Sequence, residues 1–159
     1  MAAHETTPLR LAADALAAIR AHGRDAYPHE CCGALIGRDG GVTAVHALPN
    51  TTEEGPRRRF LVRPGDYREA ERQAAAHGGD LLGFYHSHPD HPARPSQYDL
   101  DHAWPSFSYV IVSVMNGAPA ALTSWRLRED RSGFTEELIE ASDTGGVAAA
   151  GAARTAGER

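Results

Sequence analysis

Residues 81–99 read LLGFYHSHPDHPARPSQYD, and this stretch decides the fold of the chain. Its first five residues form a strongly apolar run, which is typical of a buried central strand. Two histidines, His86 and His88, alternate about Ser87 at the end of that run. Because side chains two residues apart in a strand point to the same face, we expect both imidazoles to aim at one point and the serine to face away.

A proline-rich turn follows the two histidines, and an aspartate comes after it. Residues 89–95 begin and end with proline, which cannot donate to a strand ladder, so the chain is expected to turn there. Ser96 is well placed as the N-cap of a short helix, with Asp99 three residues further on. The turn therefore predicts that Asp99 returns to the point at which the histidines aim.

Two histidines and a carboxylate are a ligand set that zinc favours when one position must stay open for water. Histidine nitrogens bind zinc at about 2.0–2.1 Å and carboxylate oxygens at about 2.0–2.2 Å, distances that a strand can meet without distortion. A single His-x-His pair on a strand is more often an ordinary surface or core feature than a metal site. Here a proline turn, a serine and a correctly spaced aspartate follow the pair, and together they favour a metal site. We therefore predict one zinc ion per chain on His86, His88 and Asp99.

A zinc hydrolase also needs a base that is close to the metal but is not a ligand. Glu30 is the leading candidate, because it precedes a predicted core strand, where a charged side chain is otherwise costly. The Ser96 hydroxyl could stabilise the oxyanion of a tetrahedral intermediate. Its alternative role is to cap the helix that follows, and the sequence leaves both roles open.

Composition excludes several classes of protein. The 159 residues are 42% hydrophobic and 23% charged, as expected of one globular domain, assigned to residues 1–142. The net charge of −5 argues against a partner rich in phosphates, such as nucleic acid. No apolar run reaches the length of about 20 residues that crosses a membrane, and the N-terminus has no signal-peptide pattern.

Two further features concern the cysteines and the C-terminus. Cys31 and Cys32 are the only cysteines and are adjacent, so no disulfide framework can be read and a reducing, cytoplasmic setting is expected. Cys32 is predicted to be a small buried hydrophobic residue. Residues 143–159 are dominated by glycine and alanine without periodicity, and we predict a disordered tail.

The remaining pattern predicts helices and strands in alternation. The predicted helices cover residues 12–22, with Gly23 as the stop signal, residues 64–77, and a short stretch from Ser96 to about residue 103. The predicted strands are an edge strand at residues 8–11, a hairpin of 32–37 with 42–48, a short strand at 60–62, the central strands at 81–85 and 109–114, and a closing pair at 121–127 and 134–139.

The motif H-S-H-P-x5-P-S-x-x-D, together with the upstream P-H-E-C-C-G-A-L-I-G, resembles the JAMM (MPN-plus) metallopeptidases. The resemblance extends from about the first helix to the last predicted strand. It implies a cytidine-deaminase-like α/β fold, in which helices flank a curved mixed β-sheet. It also implies zinc on the two histidines and Asp99, Glu30 as the general base, and Ser96 as the oxyanion-stabilising hydroxyl.

Members of this family hydrolyse amide or isopeptide bonds after the C-terminal glycines of ubiquitin-like proteins. Small bacterial members release cysteine or other adducts from sulfur-carrier proteins with a Gly-Gly terminus. The segments between Val62 and Leu81, and between Asp99 and Tyr109, are short, which favours a compact processing enzyme over a linkage-specific deubiquitinase. Two rivals are an inactive scaffold of the same fold and a RadC-like, DNA-associated protein. Nucleobase deamination would need a Cys-x-x-Cys pair, which the chain lacks.

Overall fold

The computed structural model describes residues 7–50 and 61–142. Three helices pack on an eight-stranded sheet. The helices are α1 (Ala13–Ala26), α2 (Pro64–Ala76) and α3 (Gln97–His102). The strands are β1 (Leu9–Ala12), β2 (Cys32–Arg38), β3 (Gly41–Leu48), β4 (Asp80–Pro89), β5 (Ser108–Met115), β6 (Ala118–Leu127), β7 (Phe134–Glu137) and β8 (Ile139–Ser142).

The sheet is mixed and strongly curved. Its strand order is β7-β6-β5-β4-β2-β3-β1-β8, with parallel pairing of β4 with β5, β1 with β3 and β1 with β8. The two edge strands, β7 and β8, are joined by the single residue Leu138. The sheet must therefore curl until its opposite edges nearly meet, which confirms the predicted curved mixed sheet.

The helix α1 lies on one face of the sheet and contacts strands from β1 to β8. Ala15 and Ile19 of α1 join the first core cluster, with Leu35, Tyr85 and Val112 from the strands. The predicted stop at Gly23 is wrong, because α1 continues for three more residues to Ala26. A Cβ at position 23 would lie 3.1 Å from Val114 Cγ2, so this glycine allows close approach of helix and sheet rather than ending the helix.

The second core cluster covers the other face of the sheet, beneath α2 and α3. Phe84 is fully buried there among aromatic rings, with Tyr67, Phe107 and Tyr109 at centroid distances of 6.2, 5.4 and 6.0 Å. Cys32 and Ala70 belong to the same cluster. The prediction that Cys32 is a buried hydrophobic residue is confirmed, since it is 1% exposed.

The structure corrects three further details of the predicted pattern. The strand β1 is not at an edge, because β8 pairs with its outer side. Residues 61 and 62 are not in a strand, and residue 60 lies outside the described range. The predicted closing strand at 134–139 is two strands, β7 and β8, which pair at opposite edges of the sheet. Periodicity cannot detect this last division, because both halves are extended and the break is one residue long.

The predicted disordered tail at residues 143–159 lies outside the described residues. Among the described helices, none is long and apolar enough to cross a membrane.

Candidate metal centre

The strand β4 carries both predicted histidines. Its residues from Gly83 to Pro89 are buried, because β2 and β5 pair with it on either side. His86 is 1% exposed and His88 is 8% exposed, and both project on the face of α2 and α3. The expected alternation is confirmed: Ser87 between them is fully buried and lies on the α1 face.

The short helix α3 brings Asp99 to the same place. Ser96 is its N-cap, and its Oγ accepts a hydrogen bond of 3.1 Å from the Asp99 N–H. In return, the Ser96 N–H donates to Asp99 Oδ2 at 2.9 Å. This capping box is the pattern that the serine and aspartate spacing predicts. It fixes the orientation of the Asp99 carboxylate before any metal is bound.

The three side chains form a compact triangle of donor atoms. The Nε2 atoms of His86 and His88 are 3.1 Å apart, and they lie 3.3 and 3.4 Å from Asp99 Oδ2. A tetrahedral ion with bonds of about 2.0–2.1 Å separates its ligands by about 3.3–3.4 Å. The triangle therefore fits a tetrahedral metal, and this is the one such group of three or more metal-ligating side chains found among the described residues.

A second contact sets the protonation of His88. Its Nδ1 lies 2.8 Å from the Pro92 carbonyl oxygen, which can only accept a hydrogen bond. In a neutral His88 ring the proton is therefore on Nδ1, and the lone pair of Nε2 points towards the other two donors. A backbone carbonyl in this role orients a ligating imidazole and raises its basicity.

The proline-rich turn between β4 and α3 is held at several points by the sheet. Ser113 Oγ donates to the His91 carbonyl at 2.6 Å, and Thr123 Oγ1 donates to the Ala93 carbonyl at 2.7 Å. The Asp90 N–H donates to the Val114 carbonyl at 2.7 Å. The turn is thus bound to β5 and β6, which fixes the path that returns Asp99 to the histidines. Neither His91 nor Asp90 belongs to the triangle.

Glu30 precedes β2 by two residues. The Cys32 position of β2 pairs with His86 of β4 in an antiparallel register. The Ser87 N–H donates to the Cys31 carbonyl at 3.1 Å, so the two chain segments still pair at Cys31. Glu30 comes directly before Cys31 in the chain and is only 8% exposed. A buried carboxyl group therefore precedes β2, the strand that pairs with the histidine-bearing β4.

Burial and neighbouring charges set the protonation of the triangle. Burial lowers the pKa of His86, against the opposite effect of the nearby Asp99, so the imidazole is neutral and can act as a ligand. Burial alone would raise the pKa of Asp99. The interaction with His86 and the hydrogen bond from the Ser96 N–H outweigh burial and hold that pKa well below its ordinary value. The aspartate is ionised, as a metal ligand must be.

A small apolar pocket adjoins the triangle. It is lined by His86 and Asp99 of the triangle and by the apolar side chains of Val62, Trp104 and Phe134.

Sequence reasoning did not find two residues that hold the site together. The first is Ser87, whose Oγ accepts the Cys31 N–H at 2.8 Å. The second is Asn50, whose Nδ2 donates to the Glu30 carbonyl at 3.1 Å. The signal for Ser87 was present, because a hydroxyl on the apolar face of a buried strand needs a partner. Asn50 gave no such signal, since it follows β3 in a segment that reads as an ordinary polar loop.

The fold and the triangle together define the class of the protein as a candidate metallohydrolase. Comparison with known proteins gives the family: residues 12–128 match the prokaryotic homologs of the JAB domain, and the chain belongs to this family. The JAMM resemblance of its motifs is thereby confirmed.

Two curated relatives and one solved structure illustrate the family. The desampylase of Haloferax volcanii is 38% identical over 112 residues, which are 66% of this chain and 80% of that protein. The CysO-cysteine peptidase of Mycobacterium tuberculosis is 30% identical over 132 residues, covering 82% and 89% of the two chains. The solution structure of a protein from Salinibacter ruber is 48% identical, covers 84% of this chain and 92% of that one, and has a TM-score of 0.66. The relatives confirm the predicted class, an enzyme of the peptidase type.

Proposed function

We propose that this protein is a zinc-dependent peptidase or isopeptidase that hydrolyses the amide bond after the C-terminal Gly-Gly of a ubiquitin-like or sulfur-carrier protein. The observation that carries the proposal is the donor triangle of His86, His88 and Asp99, with edges of 3.1, 3.3 and 3.4 Å. A buried glutamate, Glu30, precedes β2, which pairs with the strand that carries both histidines. The leaving group is free cysteine, a lysine side chain or a peptide.

The substrate class is supported by two observations. One relative is named a CysO-cysteine peptidase and another a desampylase. The second observation is the small apolar pocket that adjoins the triangle and is lined by Val62, Trp104 and Phe134. Because glycine has no side chain, a glycine tail lets the peptide backbone approach the metal ligands closely.

The residues of the chain divide the chemistry among them. His86, His88 and Asp99 hold the metal, and zinc bound there supplies a Lewis acid that polarises a carbonyl and lowers the pKa of water to roughly 7. Glu30 takes the proton of the attacking water and passes it to the leaving amine. The peptide bond breaks as the amine receives that proton, and the carrier leaves with a free C-terminal carboxylate.

The roles of Ser96 are compatible with each other. A hydroxyl has one O–H donor and two acceptor positions. Its oxygen accepts the Asp99 N–H in the helix cap, and the O–H can at the same time donate to the oxyanion of the tetrahedral intermediate. The two roles that the sequence left open are therefore both assigned to Ser96.

The Glu30→Gln variant tests the proposal. Small ubiquitin-like carriers bearing a cysteine, a lysine conjugate or a peptide extension are incubated with the protein, and products are followed by intact mass. Wild-type protein is expected to release at least one adduct. Glu30→Gln is expected to keep one zinc per chain while turnover falls by about 10²–10⁴-fold, the range for loss of a general base.

Glu137→Gln is the matched control, because Glu137 is another buried glutamate, 4% exposed, and is bonded to Ser124 on β6. Its turnover is expected to equal that of the wild type. Full activity of Glu30→Gln would contradict the assignment of the base. Zinc bound without turnover of any adduct would favour the inactive scaffold, and a DNA complex at physiological salt would favour the RadC-like alternative.

A further inference from the structure

Ser87 lies between the two histidines, but its side chain is on the opposite face of β4. It is fully buried, in the layer between the sheet and α1, where its neighbours in the core include Tyr85 and Val112. Alanine or valine at this position would bury no polar side-chain atom, whereas serine buries a hydroxyl group. A hydroxyl in such a layer requires a hydrogen bond. The bond that Ser87 makes takes the place of a backbone hydrogen bond between β2 and β4.

The Ser87 hydroxyl replaces a backbone acceptor. Cys31 and Ser87 face each other in the register of β2 and β4, and the Ser87 N–H donates to the Cys31 carbonyl at 3.1 Å. In a regular antiparallel pair, the Cys31 N–H would return a bond to the Ser87 carbonyl. Here that N–H donates to Ser87 Oγ at 2.8 Å instead. The chain before β2 is thus held in a position that a plain ladder would not give it.

The same peptide group is held from its other end. The Cys31 N–H and the Glu30 C=O are the two polar ends of one planar peptide unit. Asn50 Nδ2 donates to the Glu30 carbonyl at 3.1 Å, while Ser87 Oγ accepts from the Cys31 N–H. Two side chains from different elements therefore fix the orientation of the peptide that follows the Glu30 Cα.

We propose that Ser87 is a positioning residue for Glu30: its buried hydroxyl, with Asn50 at the opposite end of the Glu30–Cys31 peptide, sets where the glutamate carboxylate stands relative to the His86, His88 and Asp99 triangle. The inference rests on the proposed function, in which Glu30 moves the protons of the reaction. The serine of the His-Ser-His motif thus positions the Glu30–Cys31 peptide from the face of β4 that is turned away from the metal ligands.

The Ser87→Ala variant removes the acceptor without touching a metal ligand. The buried Cys31 N–H then loses its acceptor, and the peptide has to rotate until that N–H reaches water. This rotation displaces the Glu30 carboxylate. A misplacement of about 1 Å in a catalytic group can cost about 10²-fold in rate.

The experiment compares Ser87→Ala with Ser108→Ala in the full-length protein. Ser108 is the matched control, because it is a buried serine whose Oγ also accepts a hydrogen bond, from Arg126 at 3.1 Å, at the far end of β5. For Ser87→Ala we expect one zinc per chain, an unchanged KM and a kcat lower by about 10- to 100-fold. For Ser108→Ala all three values remain those of the wild type. Ser87→Thr, which keeps the hydroxyl, is expected to recover most of the kcat.

Native-state hydrogen exchange of the Cys31 amide gives a readout that is independent of turnover. Ser87→Ala is expected to lose the protection of this amide, and Ser108→Ala to keep it. Asn50→Ala acts on the other end of the peptide, so it provides a second variant with the same expected loss of kcat at full zinc content.

The inference is overturned if Ser87→Ala keeps the wild-type kcat, if its activity falls only together with its zinc content, or if the Cys31 amide stays protected. An inactive wild-type protein would instead contradict the proposed function. In that event the amide exchange still decides whether Ser87 holds the peptide.

Discussion

The two faces of β4 have opposite compositions, although both are buried. Phe84, His86 and His88 project from one face. Along this face the strand passes from the aromatic core cluster at Phe84 to the metal-ligand triangle at the two histidines. On the other face, Tyr85 and Ser87 lie beneath α1, and the polar atoms of both are bonded to other parts of the chain. One face can bind a ligand, and the other holds the backbone in place.

The difference lies in where the polar atoms find their partners. The Tyr85 hydroxyl lies 2.7 Å from His22 Nδ1 of α1, and Ser87 bonds to the segment before β2, so the α1 face is satisfied within the fold. The donor atoms of the triangle face one another at a spacing that a metal ion would fill. A substitution on the site face should therefore affect metal and activity, and one on the α1 face should affect stability or position.

The largest effect is expected for His88→Ala, on the site face. Loss of one of three ligands is expected to reduce zinc to far below one per chain and to abolish turnover, while the folded core remains. His22→Ala, on the opposite face, is the control and is expected to keep both zinc and turnover. Metal analysis and intact-mass assays on the two variants measure this. Retention of stoichiometric zinc in His88→Ala would mean that the triangle is not the metal site.

A smaller effect is expected for Ser96→Gly on the site face. Glycine at an N-cap costs only a few tenths of a kcal/mol relative to serine, so α3 and the zinc content should survive. The lost O–H donor is expected to lower kcat by about 10²–10³-fold, the range for one oxyanion donor. Ser96→Thr keeps the hydroxyl and should stay near wild-type activity. Equal kcat for the glycine variant and the wild type would leave Ser96 with the helix cap alone.

Gly33→Ala tests the α1 face and has the smallest expected effect, on stability alone. A Cβ at this position would lie 2.3 Å from the Tyr85 ring, which is buried and held by His22. Overpacking of this kind costs about 1–3 kcal/mol in the free energy of unfolding. Gly65→Ala is the control, because its Cβ would meet only the flexible end of Arg68 at 3.8 Å. Urea unfolding compares the two, and an unchanged free energy in Gly33→Ala would show that the ring can move.

Much of the site was predictable because its signals are local. The His-x-His alternation and the spacing from Ser96 to Asp99 follow from the periods of strand and helix, and both are confirmed in the structure. The ligand and catalytic roles of these residues and of Glu30 stay predictions until the variants are measured. The cytoplasmic location and the disordered tail at 143–159 also stay predictions.

The errors arose where a distant element decides. Gly23 resembles a helix stop, but its lack of a side chain serves the contact of α1 with Val112 and Val114. The strand predicted at 134–139 divides because its two halves meet opposite edges of a curled sheet. Neither fact can be read from a window of ten residues.

The sequence by itself determined the three candidate ligands and the helix cap that orients one of them, because each depends on residue types at short, fixed spacings. The resemblance carried by the same motif indicated the family and the mixed α/β fold. Only the tertiary structure decided which residues of β4 face Cys31 and Cys32, and which hydrogen bond Ser87 makes. Those depend on the register between β2 and β4, which joins residues 56 positions apart. Register is set by packing of the whole sheet, and no local pattern along the chain encodes it.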